Sequence, residues 1–326
     1  IRRPPRSTQG VSSAASDVYK RQAYFSIKRA IDTVRDPEQV EFNLAAVPGV
    51  YNPSLTSHLI NTCEDRADAL AIIDIEKDFV PDAEGTAAEN ASSRQPNVDE
   101  AVDTLKNRAL NSSYGAAYYP YVQIRDNIAD QFVNVPPSVV ALGTIGSSEA
   151  SRALWFAPAG FTRGGLSEGA AGLPVLAVKH HLTSKERDLL YEVNVNPIAS
   201  FPAEGVVVFG QKTLQVVPSA LDRVNVRRLL IFIKKEVSKI AATTLFEQNV
   251  NATWDSFRSR VSSFLEGIKG GQGLMDFKVV LDKTTTTPEL IDRNIMYAKI
   301  MLKPARAIEF IALDFVITRS GASFDD

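Results

Sequence analysis

Apolar residues follow two different patterns along this chain, and the change falls near residue 217. Up to there, short apolar runs alternate with helical stripes. Residues 40–47 alternate apolar and polar and stop at Pro48-Gly49, which predicts a strand ending in a turn. In residues 54–66, Leu55, Leu59, Ile60 and Cys63 recur at helical spacing, with Asn52 or Ser54 as N-cap. Residues 70–75 are apolar on both sides, the pattern of a buried strand. Residues 79–96 are polar, small and proline-bounded and predict a surface loop. A helix over 98–110, a strand over 116–124 and a helix starting at Pro136-Pro137 follow. Strand–helix alternation of this kind predicts an α/β fold with a mostly parallel, helix-covered sheet.

Beyond residue 217 the stripes lengthen. Val226, Leu229, Leu230, Ile233, Val237, Ile240, Ala241 and Leu245 mark one long amphipathic helix. A second helix over 252–268 stops at Gly270-Gly271. Phe277, Val279 and Leu281 alternate with polar residues as a half-buried strand. A short helix over 288–294 precedes strands at 298–302 and 307–317, the last apolar on both faces. This predicts an α+β C-terminal domain over 218–326, after a first domain over 23–217.

The first 22 residues carry no apolar periodicity. Their string SSAASDVYKRQ resembles translated sequencing-adapter DNA, so residues 1–22 are expected to be non-native, of low order and without contacts that organise the body. Setting them aside changes the charge. The chain has 36 basic and 38 acidic residues; without the five basic and one acidic of that segment, 31 remain against 37, a net charge near −6. Such a body with no basic cluster is a poor match for nucleic acid or an anionic membrane surface. No apolar run is long enough to span a bilayer. The single cysteine, Cys63, has no intrachain partner and reads as a buried small residue.

Candidate chemistry is sparse. The three histidines are His58, His180 and His181, and no metal-ligand spacing accompanies them. Residues 267–273 (GIKGGQG) and Arg163-Gly164-Gly165 lack the Lys-Ser/Thr of a phosphate loop and read as turns requiring positive φ. There is no GxSxG elbow. A triad assembled from Asp74, His58 or His180, and Ser151 or Ser167 has no support in spacing. No catalytic residue, cofactor or metal is expected.

Several blocks do carry a resemblance. WFAPAGFTRG at 155–164, NPIASFPAEGVVVFGQKTL at 196–214, the helix from Val226 with Phe246-Glu247-Gln248-Asn249 and Thr253-Trp254 after it, and Ala117-Tyr118-Tyr119-Pro120-Tyr121 are similar, in order and spacing, to the contractile phage tail sheath proteins. In the last block a Tyr stands where the family has Trp. The resemblance implies a non-catalytic, subtilisin-like first domain and a C-terminal assembly domain. It also implies polymerisation as stacked hexameric rings around a tail tube protein, contacts with baseplate and tail terminator proteins, and contraction that drives the tube through the host envelope. The place implied is the virion, assembled in the bacterial cytoplasm. Alternatives are the sheath of a tailocin or a secretion-type injection machine, or a subtilisin-like hydrolase. Full-length relatives carry more chain in front, which suggests a truncated reading frame.

Two places are candidates for self-assembly. Arg163 is placed to bond carbonyls or a carboxylate at a subunit contact, with Pro158, Gly160, Gly164 and Gly165 setting backbone geometry around it. The tail, Thr318, Arg319, Ser320, Gly321, Ala322, Ser323, Phe324 and the final two Asp, has one apolar anchor. Burying Phe324 stabilises by about 1.5–3 kcal/mol, whereas ordering the tail costs about 1–2 kcal/mol per residue. It is therefore expected to fray alone and to pair as a strand with a neighbouring subunit.

Overall fold

The computed structural model describes residues 9–75, 98–126, 128, 130–167 and 172–309. The expected surface loop at 79–96 and most of the expected strand at 307–317 lie outside these residues.

The centre is a five-stranded sheet in the order β1 (Leu44–Ala46), β2 (Leu70–Ile73), β3 (Gly115–Tyr119), β7 (Val195–Phe201), β8 (Gly205–Val208). Its first three pairings are parallel and the last is antiparallel. Successive residues face opposite layers. Ala71, Ile73, Ala117 and Tyr119 pack under α2 (Pro53–Arg66), α3 (Val98–Arg108) and α5 (Ser184–Glu192). Leu70, Ile72, Ala116 and Tyr118 pack under α4 (Pro137–Ser151) and the start of α6 (Val224–Ala242). Burial on both faces is what the unalternating run at 70–73 encoded.

Local signals set several boundaries. The Asn52 side chain accepts from the Ser54 and Leu55 amides at 3.0 and 3.3 Å, capping α2. Pro120 divides the strand expected over 116–124 into β3 and β4 (Val122–Asp126). β4 is the middle of a separate antiparallel sheet between β5 (Gln131–Val135) and β6 (Val175–Val178).

Two expectations are corrected. The strand expected over 40–47 shrinks to β1, because Arg66 takes the chain before it. Its Nη1 and Nη2 donate to the Val34 and Val40 carbonyls at 2.5 and 2.8 Å, and its guanidinium lies 4.0 Å over the Phe42 ring. The N-terminal segment is expected to be of low order, yet α1 (Gln9–Thr33) begins within it. The apolar anchors Ile27 and Ile31 lie one turn apart against the core beside α2. Once that end is fixed, each upstream residue extends the helix at little cost.

The C-terminal part is layered differently. α6 and α7 (Asn251–Gly270) pack together and carry a two-stranded antiparallel ribbon of β9 (Leu274–Val280) and β10 (Lys299–Pro304), with short α8 (Pro288–Asp292) in the connection. Trp254, Phe257, Val261 and Leu265 of α7 fill this core.

Asp74, at the end of β2, is buried. It accepts from the Gly49 amide at 2.8 Å, and from the Ser138 amide and hydroxyl at 3.0 and 2.8 Å, so it caps α4 where Pro136 has no capping side chain. Burial raises its carboxyl above the ordinary range, against the lowering effect of those three bonds. A raised folded pKa gives stability that is full below the unfolded value, about 3.9, and is lost as pH rises through the folded value. Asp74→Ala should destabilise by about 2–4 kcal/mol, from donors left unsatisfied. It should also abolish this loss of stability above about pH 4, as read from denaturation midpoints.

Candidate assembly surface

The WFAPAG block forms a loop laid along the outer edge of β8. Gly160 N donates to Val208 O at 2.9 Å, Val208 N to Gly164 O at 2.8 Å and Leu166 N to Val206 O at 2.8 Å. A Cβ at Gly164 would lie 2.5 Å from the Val208 oxygen, so only glycine fits there. Gly160 is the one with positive φ, at +81°, while Gly165 meets nothing within 4 Å. The sequence reading of Gly164 as a positive-φ position is thus replaced by close backbone approach.

Arg163 turns inward to its own loop. Its Nε donates to Ala157 O at 2.9 Å and its guanidinium lies 5.3 Å over the Phe156 ring. The other proposed assembly residues, Thr318 to Phe324, lie outside the described residues, so the structure does not bring the two candidates together.

The same loop bolts the two halves of the chain. Trp155 Nε1 donates to Gly271 O at 2.7 Å, in the turn between α7 and β9. A Cβ at Gly273 would lie 2.6 Å from Ile268 and 3.0 Å from Trp155. Glycine is required here for room; the left-handed residue of this turn is Gln272, with φ 65°.

After β10 the chain crosses to the sheet. Ala305 N donates to Gly273 O at 3.1 Å, and residues 305–309 run on without strand pairing, unlike the strand expected from 307. Glu309 explains the departure. Arg223 Nε and Nη2 donate to its two carboxylate oxygens at 2.6 and 2.8 Å, Tyr191 Oη donates at 2.9 Å and Gln211 Nε2 at 3.3 Å. Burial opposes the Arg223 charge, but the hydrogen bond and charge of Glu309 outweigh it and raise the Arg223 pKa. Burial chiefly raises the Tyr191 phenol as well, with Glu309 adding to it, and lowers Lys212, whose Nζ donates to Tyr191 O at 2.6 Å. Sequence reasoning missed this latch, whose two charges lie 86 residues apart. It borders a groove of about 660 Å³ lined by Trp155, Phe156, Phe209, Gln211 and Asn225.

The β9–β10 ribbon sits beyond the latch. It is a sheet of two strands, so each keeps one edge without a strand partner among the described residues. Met275 and Met301 stand 70% and 40% exposed along it.

The histidines and the buried carboxylate do not converge. His58 Nε2 lies 2.7 Å from Asp32 and His180 Nε2 lies 3.3 Å from Glu186, while Asp74 is bonded to Ser138 and Gly49. Ser167 Oγ accepts from the Val206 amide at 2.8 Å. Among the described residues no group of three or more His, Cys, Asp or Glu could hold a metal, and no helix is long and apolar enough to cross a membrane.

Residues 216–318 match the phage tail sheath C-terminal domain family. The tail sheath protein of Vibrio phage KVP40 is 32% identical over 304 residues, which cover 90% of this chain and 44% of that protein. The chain is a relative of the tail sheath proteins. The tail sheath protein of Enterobacteria phage T4 is 30% identical over 307 residues, covering 92% of this chain and 45% of that protein. This chain therefore spans less than half the length of the curated sheath relatives it matches. In fold it is similar to the sheath complex of an extracellular contractile injection system, PVC, in the contracted state. The TM-score is 0.68 with 24% identity, covering 88% of this chain and 74% of that one. The helical sheath of the anti-feeding prophage, also contracted, gives a TM-score of 0.67 with 21% identity, covering 89% and 73%.

The latch makes a quantitative prediction. Both side chains are less than a quarter exposed, at 24% and 16%. A double-mutant cycle on Arg223→Met and Glu309→Gln should return a coupling of about 1–3 kcal/mol that weakens with added salt. Amides of residues 305–309 should exchange faster in either single variant.

Proposed function

We propose that this chain is part of a structural subunit of a contractile phage tail sheath. It polymerises as helically stacked hexameric rings around the tail tube protein, between baseplate and tail terminator proteins, and contracts to drive the tube through the host envelope for genome delivery. Its place is the virion, after assembly in the host cytoplasm. The chain catalyses nothing: its first unit, residues 23–217, is a subtilisin-like scaffold without a triad, and residues 218–326 are the assembly unit. Residues 1–22 are adapter-derived.

The observation that carries the reading is the β9–β10 ribbon, set on a body similar to the tail sheath proteins. A ribbon of two strands is a marginal sheet by itself and gains backbone hydrogen bonds from any strand added at its edges. The tail from Thr318 through Phe324 is the strand we assign to a neighbour's ribbon, with Phe324 as its apolar anchor. Contacts of this kind between identical chains are heterologous and generate open helices. The extended sheath then stores energy as a less favourable arrangement of interfaces that have two packings. Arg163 acts indirectly, by holding the loop that fixes the ribbon's root.

A second reading, the sheath of a tailocin or an extracellular injection machine, draws on the fold likeness to PVC and anti-feeding prophage assemblies. Head and packaging genes beside the reading frame decide for phage, and their absence decides for the alternative.

Negative-stain imaging of the complete gene product should show tubes. Met275→Asp with Met301→Asp should leave the unfolding free energy within about 0.5 kcal/mol of the parent, as for exposed sites, yet abolish tubes. Tubes as abundant as the parent's would sink the ribbon assignment. Deleting residues 320–326 should likewise spare folding and stop assembly. A fluorophosphonate serine probe should label nothing at any pH from 5 to about 9, the range in which a histidine base would work; stoichiometric labelling would restore the hydrolase reading.

A further inference from the structure

The turn between α6 and α7 presents its apolar side chains to solvent. Leu245 and Val250 are 65% and 50% exposed, and Phe246 is fully exposed. Phe246 also holds a left-handed backbone, φ 68°, which is strained for a bulky side chain. The turn is nonetheless braced from behind. Asn249 Oδ1 accepts from the buried Trp254 Nε1 at 2.7 Å, and Asn249 Nδ2 donates to Ile295 O at 3.4 Å. The block Phe246-Glu247-Gln248-Asn249 with Trp254 thus divides into two parts. Asn249 and Trp254 fix the turn, while Phe246, Glu247 and Gln248 stand exposed on it.

The opposite end of the same helix pair carries the groove of about 660 Å³. Asn225, in the first turn of α6, and Gln272, just past α7, both line it. Its walls bring the rings of Trp155, Phe156 and Phe209 together with Arg163, Arg187 and Arg306. Against these charges stand Asp188 and Glu309, and Glu309 is already paired with Arg223. The groove is therefore basic as well as aromatic. Gln211 Oε1 and Asn225 Oδ1 are buried in this lining with no hydrogen-bond partner, a costly state for an acceptor. What fits is an aromatic side chain flanked by a carboxylate and by N–H donors.

We propose that the turn of one copy, Phe246-Glu247-Gln248, seats in this groove of a second copy of the chain. Phe246 enters among the rings. Glu247 meets Arg306, the exposed one of the three arginines, and the Gln248 amide donates to the unmatched oxygens. A copy cannot do this for itself, because the 19 residues of α6 hold its turn and its groove about 28 Å apart. The contact uses a different surface on each copy, so it builds rings or open helices. It deepens the assembly reading and rests on it, adding a contact at the helix hairpin to the one at the ribbon.

Photo-cross-linking of the full chain tests the contact. Phe246→p-benzoylphenylalanine should give covalent dimers whose yield rises with protein concentration, with position 246 joined to Trp155, Phe156 or Phe209 of the other copy. Glu247→Lys in that background should lower the yield about fivefold, and adding Arg306→Glu should restore it. Phe246→Asn, which the left-handed backbone tolerates, should weaken association in sedimentation about tenfold with the thermal midpoint no lower. If Phe246→Asn fails to fold, the cross-link map and the charge exchange still decide. Position 246 joined to any other surface would overturn the contact, and tubes formed by that same protein would leave the sheath reading standing. A correct cross-link without tubes would support the contact and count against the sheath. Cross-links that appear only when a tail tube protein is added, and run to it, would overturn the contact in favour of that partner.

Discussion

One helix belongs to two cores, and the rest of the architecture follows from that sharing. Val224 and Ile231 of α6 close the layer beneath the five-stranded sheet, whereas Leu229 and Ile233 pack with α7 and the ribbon. A helix buried on more than one side needs its polar residues answered, and Arg227 and Arg228 are, except that the buried Arg227 Nε has no hydrogen-bond partner. Arg227 lies 4.0 Å over the Tyr114 ring and donates to Ser113, and Arg228 pairs with Glu149 and donates to Leu154 O at 3.3 Å. Burial lowers both guanidinium pKa values, so these charges are held inside at a cost that only those partners offset. The two units thus have no smooth apolar joint along which to slide. They are keyed by cations.

Much of this was legible where the signal was local. The run at 70–73 announced a strand buried on both faces, Asn52 announced its cap, and the stripe from Val226 announced α6. The capping box at Thr183 and Glu186 is equally legible, since the Thr183 side chain and the Glu186 amide and carboxylate satisfy one another. What escaped was long-range. Nothing around Arg66 says that it will bind carbonyls 26 and 32 residues earlier and shorten a strand there. Nothing around Glu309 points to Arg223. In the WFAPAG block the glycines were legible as special, while the reason at Gly164, a carbonyl of another strand, was not.

The assembly surface shows the same division. Period-two alternation marked β9, but a pattern of side chains carries no information on whether a strand's backbone edges find partners. Only the fold reveals that the ribbon has two strands among the described residues, and that WFAPAG, through Trp155, clamps the turn from which the ribbon springs.

That geometry makes the two strands of the ribbon unequal as mechanical elements. β9 is rooted through a tight glycine turn in α7, which packs on α6, a rod of 19 residues and about 28 Å. β10 is rooted through residues 305–309 in a carboxylate held by Arg223, Tyr191 and Gln211. A load on β9 is resisted by side-chain interdigitation spread over a helix pair, and is indifferent to salt. A load on β10 falls in shear on one ion pair and its attendant hydrogen bonds, and softens as ions screen them. The ribbon is a fork with one stiff tine and one compliant tine.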